Sequence, residues 1–157
     1  MKDAIMLRKA TIADRDVLLQ CEQGIIRAER PFSPTLKEDP VQYYDLEKML
    51  TDPQTDVVVA ELNNTIIGCG YSRIEDSKPY YKHQQHAYLG MMYVSPEHRG
   101  KGINAMVIDE LKSLVKRRGI TELRLDVFAE NEPAIKAYEK VGFQPLLVEM
   151  RMNLKID

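Results

Sequence analysis

The stretch from Asp56 to Ile74 constrains the fold more than any other part of the chain. Asp56-Val57-Val58-Val59-Ala60-Glu61-Leu62 is β-branched and nearly all apolar, the pattern of a central strand. Asn63-Asn64 follows, a pair that tolerates left-handed backbone, and Thr65-Ile66-Ile67-Gly68-Cys69-Gly70-Tyr71-Ser72-Arg73-Ile74 returns beside it. Two such runs joined by two residues form a hairpin. After a polar loop (Glu75 to Gln85), a third strand spans His86 to Val94 and Pro96 ends it. Consecutive, hairpin-linked strands pair antiparallel, so this half of the sheet is antiparallel.

Helical periodicity flanks these strands. Ile5 to Ala10 reads as a short strand, and Thr11 or Asp14 caps a helix with Val17, Leu18, Cys21, Ile25 and Ile26 at helical spacing. Pro31 and Pro34 break it, because each disfavours helical backbone in the residue before it. A second helix is expected from about Pro40 to Leu50, with Tyr43, Leu46, Met49 and Leu50 inward. Downstream, a helix over Gly102–Arg118 places Ile103, Val107, Leu111, Leu114 and Val115 on one side, and Gly119 stops it. Leu123 to Phe128 alternates as a strand, Glu132 to Val141 is helical, and Gly142 stops that helix. Phe143-Gln144-Pro145 opens a final extended stretch with Val148, Met150, Met152 and Leu154 on one face. The order β-α-α-β-β-β-α-β-α-β is a mixed α/β (α+β) fold with an antiparallel half and a crossover-linked half. No repeat or linker composition divides the 157 residues, so one domain is expected over 1–157.

Several function classes fall away. The 22 basic and 24 acidic residues leave a net charge of −2, so neither nucleic acid nor an anionic membrane is an expected partner. No apolar run approaches the ~20 residues of a membrane span. The first nine residues lack the apolar stretch of a signal peptide, which makes the cytoplasm the expected location. Cys21 and Cys69 show no CxxC spacing, and His83, His86 and His98 make no zinc pattern with them, so no metal site is expected.

The chemistry concentrates in Val94-Ser95-Pro96-Glu97-His98-Arg99-Gly100-Lys101-Gly102-Ile103-Asn104, a strand end, a turn with two glycines and two cations, then a long helix. Helix N-termini present unpaired N–H groups and partial positive charge, which suits phosphate. Gly100 and Gly102 let the chain curl close to an anion, and Arg99 and Lys101 add cationic side chains. A nucleotide-hydrolase P-loop is excluded because no Gly-Lys-Ser/Thr follows a four-residue spacer. A dinucleotide fingerprint is excluded by Ala105 at the third glycine position and by the hairpin that precedes the motif. On these residues alone the segment reads equally as a diphosphate cradle or as an ordinary glycine turn with solvated charges.

This segment, together with Asn131-Glu132-Pro133-Ala134-Ile135-Lys136-Ala137-Tyr138-Glu139-Lys140-Val141-Gly142-Phe143 about thirty residues on, resembles the GNAT superfamily of GCN5-related N-acetyltransferases. The element order from Ile5 to Leu154 matches as well. One departure is Asn104, where the family's acetyl-CoA loop usually ends in glycine or alanine. The resemblance implies a central mixed, mostly antiparallel sheet flanked by helices, with acetyl-CoA as cosubstrate. It implies that the amides of Arg99, Gly100, Lys101, Gly102, Ile103 and Asn104 cradle the CoA diphosphate. The strand ending Met92-Tyr93-Val94 would splay from its neighbour and pair with the pantetheine arm. Asn131 matches the asparagine that contacts CoA, and Tyr138 the tyrosine near the CoA sulfur. A phenol, with pKa near 10, stays protonated at neutral pH and can protonate a departing thiolate of pKa near 8.5. Taken as plain structure, Tyr138 is a helix aromatic beside Ala134 and Val141, and Asn131 is a helix cap.

No general base is evident. Tyr88-Leu89-Gly90-Met91-Met92-Tyr93 carries no carboxylate, and Glu75, His86 and Glu61 are the substitutes, His86 sharing strand parity with Tyr88. The loop from Arg27 to Pro40, with Arg30, Phe32 and Tyr43 or Tyr44 nearby, is a candidate acceptor wall, and its mixed charge names no substrate. Lys112, Lys116, Arg117 and Arg118 complement the negative end of their helix. The expected activity is acetyl transfer from acetyl-CoA to a primary amine, on a small molecule or a peptide, by direct attack in a ternary complex. The alternative is a non-catalytic acyl-CoA sensor. A homodimer is a further expectation from the resemblance, with no interface located.

Overall fold

The hairpin forms the middle of a five-stranded sheet in the computed structural model, which describes residues 4–156. β2 (Thr55–Leu62) and β3 (Thr65–Asp76) pair antiparallel around Asn63 and Asn64, whose φ values of 50° and 63° are the left-handed ones such a turn needs. β1 (Met6–Lys9) lies antiparallel outside β2, β4 (Gln85–Val94) antiparallel outside β3, and β5 (Leu123–Arg124) parallel to β4. The order is β1-β2-β3-β4-β5, the mixed, mostly antiparallel sheet expected.

Helices cover both faces. Leu18, Cys21 and Ile25 of α1 (Arg15–Glu29), with Leu46 and Met49 of α2 (Leu46–Thr51), pack on Val57, Val59, Cys69, Tyr71 and Met91. On the opposite face α3 (Ile103–Arg117) buries Ile103, Val107, Ile108, Leu111 and Val115. Each such side chain contributes roughly 1.5–3 kcal/mol by leaving water. α3 seats closely because β3 offers glycine beneath it. A Cβ on Gly70 would lie 3.0 Å from Val107 Cγ1, and one on Gly68 3.1 Å from Ile103 Cγ2.

Ion pairs pin the β1 side. Arg8 bridges Asp14 at 2.9 Å and Glu61 at 2.7 Å. The buried Asp56 carboxylate takes Lys9 at 2.9 Å and Arg118 at 3.1 Å. Burial alone would raise the Asp56 carboxyl, and the two cations outweigh it to hold it below the ordinary carboxylate range.

Three elements differ from expectation. α2 begins at Leu46, not near Pro40. Glu22, fully buried on α1, accepts the amides of Tyr43 at 3.1 Å and Tyr44 at 2.8 Å, so those donors serve a carboxylate and not a helical ladder. Asp45 then caps the Lys48 amide at 3.1 Å. β5 covers only Leu123 and Arg124 of the alternating run to Phe128, because its ladder with β4 is two pairs long. Over 143–156 no strand is assigned among the described residues.

The chain separates into two compact units, one through Asp126 and one from Val127. The second holds α4 (Glu132–Lys140), started by Asn131, whose Oδ1 accepts the Ala134 amide at 3.4 Å. Phe143 N–H returns to the Tyr138 carbonyl at 3.0 Å, and the two rings meet edge-on at 5.9 Å. Among the described residues no helix is long and apolar enough to cross a membrane.

Candidate active site

β4 is regular along neither edge. Toward β3, Cys69 pairs with Tyr93 and Tyr71 with Gly90, so Gly70 faces both Met91 and Met92, a β-bulge. Met91 carries the bulge with φ 51°, a left-handed value uncommon for a residue with a Cβ and worth about 1–3 kcal/mol of strain. Its carbonyl accepts the buried Cys69 thiol at 3.4 Å, and its amide meets the Tyr44 hydroxyl. Toward β5, the ladder stops at Tyr88–Arg124. From Leu89 to Val94 that edge of β4 has no strand partner among the described residues.

The open strand runs straight into the glycine turn. Ser95 Oγ meets His98 Nδ1 at 2.8 Å, and the Ser95 amide reaches the Ile67 carbonyl at 2.8 Å, which ties the turn to the sheet. Gly100 and Gly102 follow with φ 76° and 80°, and a Cβ at either would meet nothing within 4 Å. The space above both glycines is therefore open, and side chains there would fill it. Met106 N–H to Gly102 O, at 3.1 Å, is the first rung of α3. The amides of Ile103, Asn104 and Ala105 thus have no carbonyl one turn back, and they add to the helix's positive pole. The turn is therefore an open cradle of backbone donors of the kind that suits a phosphate, the group CoA would bring to it.

The expected side chains divide into two groups. Met92, Tyr93 and Val94 lie on the open stretch of β4, and Gly100, Lys101, Gly102, Ile103 and Asn104 form the turn and first helical residues. Ile103 offers only its backbone, because its side chain is buried under β3. Arg99 folds back, its Nε donating to the Val94 carbonyl at 3.2 Å, and so braces the strand end. Asn131 and Tyr138 lie on the second unit, at the start and middle of α4.

One feature of the α1 face escaped the sequence. Tyr44 meets Tyr71 edge-on at 5.6 Å, Tyr71 lies 6.4 Å from Tyr88, and Tyr43 meets Tyr44 at 5.8 Å. The Arg73 guanidinium sits 5.7 Å from both the Tyr71 and Tyr88 rings. This aromatic file starts at the bulge amide and runs along β3 and β4. Acidic groups edge it: Glu29 receives the Tyr43 hydroxyl at 3.1 Å, and Asp126 the Tyr88 hydroxyl at 3.1 Å. Burial raises the Glu29 carboxyl, with Tyr43 partly opposing it. Burial first, then Glu29, pushes the Tyr43 hydroxyl up to about 12. Burial also pushes the Tyr44 and Tyr88 hydroxyls well above the ordinary range, so all three stay protonated. The tyrosines were visible in the chain, but their convergence depends on the β3–β4 register and on the Glu22 anchor.

Of the three base candidates, Glu61 is held by Arg8 at 2.7 Å, on the β1 side of the sheet. Glu75 and His86 form a cross-strand pair on the tyrosine face, His86 Nε2 standing 3.3 Å from Glu75 and Nδ1 2.8 Å from Ser77 Oγ. Among the described residues no cluster of His, Cys, Asp and Glu is arranged to hold a metal ion.

The acetyltransferase (GNAT) family model matches residues 23–143. The chain belongs to the GNAT acetyltransferase family. Among curated GNAT relatives it is 34% identical over 89 residues to an uncharacterized N-acetyltransferase, YycN, of Bacillus subtilis, covering 57% of this chain and 54% of that one. It is 37% identical over 59 residues to the thialysine N-ε-acetyltransferase of Bos taurus, covering 38% of this chain and 35% of the relative. The matches span 24% to 65% of the length of the first curated relatives. The fold agrees with solved GNAT structures. A predicted acetyltransferase from Clostridium acetobutylicum, crystallised with acetyl-CoA, superposes with a TM-score of 0.73 at 24% identity, over 96% of each chain. An aminoglycoside acetyltransferase from an uncultured soil sample, in complex with sisomicin, gives 0.73 at 18% identity over 96% of this chain and 97% of that one. Acetyl-CoA is the acetyl donor of GNAT enzymes.

Proposed function

We propose that the chain is a single-domain, cytoplasmic N-acetyltransferase that moves an acetyl group from acetyl-CoA to a primary amine, by direct attack in a ternary complex. The observation that carries this reading is the open edge of β4 running into the glycine turn at the head of α3. An unpaired strand edge is a place for an amide-bearing chain to lie, and the turn is a place for its phosphates.

Each residue then has a task. The amides of Arg99 through Asn104 bind the diphosphate, with Lys101 adding charge and Arg99 bracing the strand beside it. The backbone of Met92, Tyr93 and Val94 pairs with the pantetheine amides. Acetyl-CoA supplies a thioester whose carbonyl accepts the amine. Tyr138 delivers a proton to the departing thiolate, and Asn131, besides capping α4, contacts CoA. The acceptor, a small-molecule or peptide amine, enters along the tyrosine file, where aromatic faces and the carboxylates of Glu29 and Asp126 suit an ammonium group. An alkylammonium of pKa near 10.4 must lose a proton before attack, and of the base candidates Glu75, which is also held by Arg73, and His86 share the tyrosine face. Neither cysteine is available for an acetyl-enzyme: Cys21 and Cys69 are both buried in the core between α1 and the sheet.

The test is thiol release from acetyl-CoA across a panel of amines, beside calorimetric titration with CoA. Binding with amine-dependent release is the expected result. Binding without turnover on any amine would make the chain a sensor, and absence of binding would remove the cradle.

A further inference from the structure

One tyrosine of the file is wired differently from its neighbours. Tyr43 gives its hydroxyl hydrogen to Glu29 at 3.1 Å, and Tyr88 gives its own to Asp126 at 3.1 Å. The Tyr44 hydroxyl is bonded to no carboxylate. Its oxygen accepts the amide of Met91, the bulge residue at φ 51°, and among the described residues nothing takes its hydrogen. A hydroxyl that accepts one hydrogen bond becomes a better donor in the next, because the first bond polarises it. Tyr44 therefore presents an unspent O–H at the bulge.

That donor is held in place from several sides. The fully buried Glu22 takes the Tyr44 amide at 2.8 Å, the Tyr44 ring meets Tyr71 edge-on at 5.6 Å, and Tyr43 meets it at 5.8 Å. The residue is half-buried, so part of it stays open to a ligand. Burial keeps the hydroxyl protonated. A donor fixed before the reaction needs no reorganisation during it, which is the condition for stabilising a developing charge.

The bulge is also where the acetyl group arrives. On the cofactor reading given above, which this assignment requires, the diphosphate sits at Arg99–Asn104 and the pantetheine arm lies beside Met92–Val94. Three residues of strand cover roughly 10 Å. An arm that starts at the turn and runs back along the open stretch of β4 thus ends beside Met91.

We propose that the Tyr44 hydroxyl donates a hydrogen bond to the carbonyl oxygen of the acetyl thioester and stabilises the negative charge that develops on it. The amine lone pair forms the C–N bond while the carbonyl π pair moves onto oxygen, where the Tyr44 O–H meets it. When that pair returns, the C–S bond breaks and its electrons leave on sulfur. The proton shed by nitrogen balances the proton gained by the thiolate, and Tyr44 keeps its own throughout. Tyr44 is then a catalytic residue with a task separate from that of Tyr138, which serves the sulfur. The rival assignment gives the oxygen to the Met91 amide and makes Tyr44 a stopper on it.

Isotope-edited infrared spectroscopy separates the two. Acetyl-CoA labelled with carbon-13 at the acetyl carbonyl is bound to wild type and to Tyr44→Phe, which keeps the ring and removes only the hydroxyl. The carbonyl band should fall to lower frequency on binding wild type, and that fall should be lost in the variant. With an amine that supports thiol release, kcat of Tyr44→Phe should be roughly 100-fold lower, while KM for the amine and the CoA dissociation constant stay within about twofold. A band equal in the two proteins overturns the assignment. So does a lower band with faster turnover in Tyr44→Phe, which would hand the oxygen to the freed Met91 amide. Tyr44→3-fluorotyrosine retains the oxygen and is a more acidic phenol, so it should move the band further down even if the phenylalanine variant fails to fold. No displacement there overturns the proposal as well. Acetyl-CoA that binds none of these proteins overturns the cofactor reading itself, and the Tyr44 assignment with it.

Discussion

The two edges of β4 are built from the same ten residues and behave oppositely. Toward β3 the strand makes eight residue pairs, interrupted once by the Met91 bulge, and buries Ala87, Leu89 and Met91 in the core. Toward β5 it makes two pairs and then stops. The closed edge serves stability, and the open edge leaves backbone donors and acceptors free for a ligand. The bulge connects them. By placing two residues opposite Gly70, three residues past the last β4–β5 pair, it changes the course of Met92–Val94 as the strand approaches the glycine turn.

The closed side should be the easier one to break. Leu89→Ala, which empties a site 1% exposed on the face that α3 covers, is expected to destabilise the fold by about 2–5 kcal/mol in urea unfolding, with CoA affinity of the folded protein unchanged. A cost below about 1 kcal/mol would mean that β4 is loosely held on both edges.

The open side is expected to answer in kinetics and binding. Tyr138→Phe should lower kcat roughly 100-fold while CoA affinity, read by calorimetry, stays within about twofold. Equal turnover would remove Tyr138 from the chemistry. Gly102→Val is the complementary change. At φ 80° a β-branched residue is strained by about 1–2 kcal/mol, and it projects into the open space above the turn. CoA should bind about tenfold or more weakly, with kcat at saturating CoA less affected. An unchanged dissociation constant would place the diphosphate elsewhere.

The same contrast explains what could be read from the sequence. The hairpin, the long helix and the glycine turn are local signals, each set by residues within a dozen positions, and all appear close to their expected bounds. α2 did not, because its first expected turn is unmade by Glu22, a residue some twenty positions upstream that withdraws the Tyr43 and Tyr44 amides. The alternation of 123–128 and 143–156 was legible, but whether an alternating run becomes a strand depends on a partner that local pattern does not specify. In the candidate site, the backbone cradle was legible as a motif. The tyrosine file was not, since it needs the β3–β4 register to bring Tyr71 and Tyr88 within reach of Tyr44.

The smallest expected effect separates the edges by pH. Arg8 hydrogen-bonds the Asp14 carboxylate, which is mostly buried, and holds its pKa below the ordinary value in spite of burial, with the Thr11 amide assisting. A carboxyl lowered on folding contributes stability that is fully present above its unfolded pKa, near 3.9, and is lost as pH falls through the lower folded value. The Asp14 contribution to stability should therefore be constant from neutrality to about pH 5 and decline below about pH 4. Asp14→Asn should cost about 1–2 kcal/mol at pH 7 and flatten that acid decline. Asp14 belongs to the β1–α1 corner, away from the open edge of β4, so CoA affinity at pH 7 should be the same in both proteins. If affinity fell together with stability, the closed corner and the open edge would be coupled, and the division of β4 into a structural and a functional side would fail.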